Sequence, residues 1–78
     1  MKKRPIISKT YHGQLRSYFF NLYPVDNGKH SLEITESYKK SPTKFIRTPI
    51  KIYEIDIDDF IKEMEKFLEE VKKEREND

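Results

Sequence analysis

Residues 16–37, RSYFFNLYPVDNGKHSLEITES, decide the fold. Two runs rich in aromatic and β-branched residues flank an Asp-Asn-Gly turn, which is the signature of a β-hairpin. The even positions of the first run are Tyr18, Phe20 and Leu22; its odd positions include Phe19, Asn21 and Tyr23. The second run, 30–38, alternates cleanly, with Leu32 and Ile34 even and Ser31, Glu33 and Thr35 odd. Directly paired residues share a face, so Leu22 should oppose Leu32 and Phe20 should oppose Ile34. A two-residue Asn27-Gly28 turn would set Leu22 against Glu33. A three-residue loop, Asp26-Asn27-Gly28 with Gly28 left-handed, restores the apolar pairing.

Working outward, residues 14–23 form the first strand of this hairpin. A preceding strand is expected over 6–12, with Gly13-Gln14 as its turn. Residues 39–44 (KKSPTK) read as a polar, basic loop. Residues 45–55 read as another strand, with Ile46, Ile50 and Ile52 even and Arg47, Lys51 and Tyr53 odd. Pro49 offers no amide donor, which predicts an edge strand or a bulge there. Asp56 is the expected N-cap of a helix, with Asp58 and Asp59 favouring its positive end. Apolar residues at 57, 60, 61, 64, 67, 68 and 71 extend that helix to about Arg75. The expected class is α+β: a four-stranded antiparallel sheet followed by one C-terminal helix, ββββα, with the helix on the even face. Residues 1–5 form a basic arm, 6–75 the folded unit and 76–78 a polar tail.

Seventy-eight residues make one small domain, and 35% apolar against 38% charged residues leaves a thin core. There is no cysteine, hence no disulfide and no thiolate metal site. Oligomerisation is the remaining common remedy, and a homodimer is expected. The helix stripe exceeds what a small sheet needs, which assigns Phe60, Met64, Phe67, Leu68 and Val71 to the dimer interface. The N-terminus lacks the apolar centre of a signal peptide and no apolar run reaches membrane length, so a soluble cytoplasmic protein with no membrane partner is expected. The net charge of +2 conceals +8 over residues 1–51 and −6 over 52–78, an asymmetry that points to a polyanionic partner.

The odd sheet face gathers Phe19, Tyr23 and Tyr53 with Asn21, Arg47 and Lys51. Rings beside cations and an amide are the means by which single-stranded DNA or RNA is held, the rings stacking on bases and the cations neutralising phosphates. The bland reading is a dimer partner covering the rings. Lys39, Lys40 and Lys44 share one loop and are candidate phosphate contacts, with a solvated loop as the alternative. His12 and His30 lie singly near turns without metal-ligand spacing, and Ser37 and Ser41 have no nearby base. Helix capping accounts for the three aspartates. No catalytic pair, metal motif, cofactor site or small-molecule substrate is indicated, and the chain is expected not to be an enzyme.

These residues resemble the PUR repeat of Pur-alpha and its short bacterial relatives. Its bacterial pattern, a basic residue, x, Tyr-Phe-Phe-Asp-Val, a turn, then Leu-x-Ile-Thr-Glu-Ser, is matched by Arg16-Ser17-Tyr18-Phe19-Phe20-Asn21-Leu22 and Leu32-Glu33-Ile34-Thr35-Glu36-Ser37. A basic strand follows, here Ile50-Lys51-Ile52-Tyr53, and then an acidic helix start, here Asp58-Asp59-Phe60. The resemblance covers about residues 11–72. It implies a ββββα unit whose pairs intertwine, hence a homodimer from one repeat, and a nucleic-acid-binding regulator acting through the curved sheet face. Carried over by position, Phe19, Asn21, Tyr23 and Lys51 would line that face, and Arg16 joins the candidate contacts. Eukaryotic members often have Lys where Tyr23 and Glu33 stand, and a carboxylate at 33 should weaken phosphate contact. The alternative function is a dimeric protein–protein interaction module with no nucleic-acid role.

Overall fold

A computed structural model describes residues 4–77. Most of the expected basic arm, residues 1–3, and the last residue of the expected tail lie outside the described residues. Four strands form one antiparallel sheet in the order β1-β2-β3-β4, and a helix follows. The strands are β1 (Ile7–His12), β2 (Arg16–Pro24), β3 (His30–Ser41) and β4 (Lys44–Tyr53), and the helix is α1 (Glu54–Glu76). This is the expected ββββα order of an α+β unit.

The central hairpin has the register that parity requires. Leu22 pairs with Leu32 and Phe20 with Ile34, and the pairing closes at Pro24 and His30. Val25 N–H donates to Lys29 C=O at 2.8 Å, enclosing a three-residue turn over Asp26–Gly28. Both Asn27 (φ 65°) and Gly28 (φ 72°) are left-handed, the conformation that Asn and Gly tolerate best. The first hairpin is tighter. Gly13 N–H donates to Arg16 C=O at 2.8 Å, so the turn consists of Gln14 and Leu15 rather than Gly13-Gln14.

Three boundaries differ from expectation. The basic loop over 39–44 is mostly strand: β3 runs to Ser41, and Pro42-Thr43 alone make the turn. Lys39 pairs with Phe45 and Ser41 with Lys44, leaving Lys40 as a one-residue bulge. Proline presets the turn backbone, so two residues suffice. β4 stops at Tyr53, and α1 begins at Glu54 rather than after Asp56. Tyr53 still pairs with Ser31, and the Glu54 carboxylate accepts the His30 backbone N–H at 3.1 Å, so strand passes directly into helix. The N-cap position is Tyr53, with no side-chain cap, and Asp56 sits inside the first turn as a dipole partner. Pro49 lies in an edge strand, opposite Thr35, without a bulge.

The two faces are unlike. On the helix side, Ile7, Phe20, Leu22, Leu32, Ile34, Ile50 and Ile52 gather by register, and the first turns of α1 bring Ile57 and Ile61 to Leu22 and Leu32. Ile52, 7% exposed, is the only buried apolar residue among those described. Further along the helix stripe Phe60 and Val71 are half-buried, while Phe67 is 60% exposed and Met64 and Leu68 about half exposed. Ile50 and Ile46 are exposed on the same side of the sheet. The radius of gyration is 15.4 Å, against about 11.5 Å for a compact chain of this length.

A candidate nucleic-acid interface on the open sheet face

The opposite face is built by rows of directly paired residues. One row runs Ser8, Asn21, Glu33, Lys51 across all four strands. Beside it run Thr10, Phe19, Thr35, Pro49 and, beyond, His12, Ser17, Ser37, Arg47. Tyr23, Ser31 and Tyr53 make the row at the helix end of the sheet. Alternation along each strand puts these side chains on one side, and no leucine, isoleucine or valine occurs among them.

A shallow hollow of about 360 Å³ lies at the centre, lined by Phe19, Asn21, Tyr23, Glu33, Thr35, Arg47 and Pro49. Four of the residues expected from sequence therefore meet there: Phe19, Asn21, Tyr23 and Arg47. Ser8 hydroxyl donates to Asn21 Oδ1, which leaves the amide NH2 of Asn21 as a donor to the hollow. Thr35 Oγ1 donates to Glu33 Oε1 at 3.5 Å, a long bond. Lys51 flanks the hollow opposite Glu33, and Tyr53, 62% exposed, lies further along β4. At the far end of β1, the His12 ring nitrogen Nδ1 is 3.0 Å from Ser17 Oγ.

The expected lysine cluster and Arg16 do not join this group. Lys39 shares the face, at its far end beside Phe45, but Lys40 is the bulge residue and Lys44 alternates to the helix side. Arg16 faces the helix side as well: its guanidinium lies 4.8 Å from the Tyr38 ring centre and 3.5 Å from Glu36 Oε1. Parity alone assigns it there, because Arg16 shares evenness with Tyr18 and Phe20. Parity also marks Phe45, a ring that sequence reasoning passed over; it is 57% exposed, on the same strand and face as Arg47 and Lys51.

No family model matches the chain, and no curated protein matches it. The likeness to PUR repeats thus rests on the motif residues themselves. Among the described residues, no group of three or more His, Cys, Asp or Glu side chains is placed to hold a metal ion, and no helix is long and apolar enough to cross a membrane.

Proposed function

We propose that this chain is a single-stranded DNA- or RNA-binding protein that works as a homodimer of single PUR-like repeats. The observation that carries the reading is the central hollow, where Phe19 and Tyr23 stand beside Asn21 and Arg47 in a lining without leucine, isoleucine or valine. Rings there offer bases about 1–3 kcal/mol of stacking each, with little regard to sequence. Arg47, Lys51 and Lys39 supply the phosphate attraction that weakens with salt. The PUR resemblance supports the same face, and a regulator acting on nucleic acid in the cytoplasm, with no catalytic role, belongs to the same reading.

The dimer is supported by the other face. Ile46, Ile50, Met64, Phe67 and Leu68 stand open to solvent in the single chain, more apolar surface than a monomer of this size leaves uncovered. A second copy covers them if its helix lies across the sheet while this helix lies across the partner's. Phe60, Met64, Phe67, Leu68 and Val71 supply that contact.

Titrating a labelled mixed-sequence single-stranded oligonucleotide tests the function. Binding should weaken roughly 20-fold between about 50 and 200 mM salt if three cations engage phosphates. Lys51→Glu should reduce it further. The competing reading, an interaction module whose exposed apolar residues serve a protein partner, predicts no oligonucleotide binding even at low salt.

A further inference from the structure

We propose that Glu33 makes this face selective for bases carrying an exocyclic amino group, preferring cytosine to thymine or uracil; the inference rests on the nucleic-acid reading above. Glu33 is the half-buried carboxylate of the central hollow, lying between Asn21 and Lys51 in one straight row across the sheet. No ion pair engages it among the described residues. Among the described residues its side-chain partner is the Thr35 hydroxyl, 3.5 Å from Oε1, and Oε2 keeps its acceptor capacity. Phe19 and Tyr23 line the same hollow, so a base stacked on either ring brings its edge to this carboxylate.

A carboxylate only accepts, and it repels a phosphate. Glu33 therefore keeps the backbone away from the centre and leaves it to the β4 side, where Arg47 and Lys51 stand. The base must turn inward, and its edge must donate. Asn21, whose Oδ1 accepts from Ser8, stands directly opposite Glu33, so its NH2 is the donor that the row offers beside that acceptor. This donor–acceptor pair fits the cytosine edge, with N4–H2 given to Glu33 and N3 or O2 received from Asn21. Adenine N6 and guanine N2 amino groups are accepted in the same way. In thymine and uracil the sole edge donor, N3–H, lies between two carbonyl oxygens, both of which repel the carboxylate.

The experiment compares labelled homopolymers of deoxycytidine and of thymidine, near neutral pH and at low salt, for the wild type and Glu33→Gln. The wild type should bind the deoxycytidine strand about tenfold more tightly, the worth of one hydrogen bond to a charged group. The glutamine amide offers both a donor and an acceptor, so E33Q should gain affinity for thymidine and bring the two strands within about threefold. Equal binding of both strands by the wild type overturns the proposal and leaves the nucleic-acid reading standing. A preference that survives in E33Q also overturns it, because another group then does the reading. If neither strand binds, both the proposal and the function beneath it fail.

Discussion

Phe19 and Phe20 are chain neighbours with opposite tasks. Alternation sends Phe20 to the helix side with Leu22 and Ile34, and Phe19 to the hollow with Asn21 and Arg47. Phe19→Ala should therefore weaken oligonucleotide binding by about 1–3 kcal/mol, some 5- to 150-fold, and leave the thermal midpoint nearly unchanged. Phe20→Ala should do the reverse, costing about 2 kcal/mol of stability in urea unfolding, a figure set below the fully buried range because Phe20 keeps some exposure. The glycines separate in a similar way. A methyl at Gly13 would sit 2.8 Å from the Arg16 carbonyl oxygen, so Gly13→Ala forces the backbone of the first turn to move. A methyl at Gly28 meets nothing within 4 Å, and Gly28→Ala costs only the left-handed backbone, about 1 kcal/mol. Urea unfolding should rank Gly13→Ala as the more damaging of the two.

At the scale of elements, the central hairpin was readable because two independent constraints coincide on it. The apolar pairs demand one register, and Asp26-Asn27-Gly28 is the loop that delivers it. The last hairpin was harder to read. Lys39, Lys40 and Ser41 have the composition of a loop, yet Lys39 and Ser41 pair, with Lys40 bulged between them, near the end of an edge hairpin where water can reach the side chains, so polarity carries no warning against strand. The helix start misled for a related reason. Asp56 is a good cap by residue type, but the Tyr53–Ser31 pair and the His30 N–H held by Glu54 fix the strand-to-helix junction three residues earlier, with Tyr53 at the N-cap position. Glu54→Ala should therefore loosen this junction more than Asp56→Ala, seen as faster amide exchange at His30 and in the first helical turn.

The whole molecule is a one-layer sheet with a helix of about 34 Å attached, and neither covers the apolar face of the other completely. In the proposed homodimer a second chain supplies the missing layer. Sedimentation should return twice the 9.5 kDa of one chain, with a thermal midpoint that rises with concentration. Leu68→Asp, a change at an exposed site of the single chain, should shift the species toward 9.5 kDa and lower the midpoint. The division of the sheet into an apolar and an aromatic-polar face was legible from parity in β2, β3 and β4. The faces of β1 were not, because its register depends on a two-residue turn that the sequence 13–15 leaves ambiguous. That register brings Ser8 to Asn21 and so orients the amide on which base reading depends. The most direct test of this two-faced sheet is NMR of side-chain resonances as a mixed-sequence single strand is added. A nucleic-acid-binding aromatic face predicts shifts of the Phe19, Tyr23 and Tyr53 ring signals, while the methyl signals of Ile34, Ile50 and Ile52 stay in place. Shifts centred on those isoleucines, or no shifts at all at low salt, would contradict it.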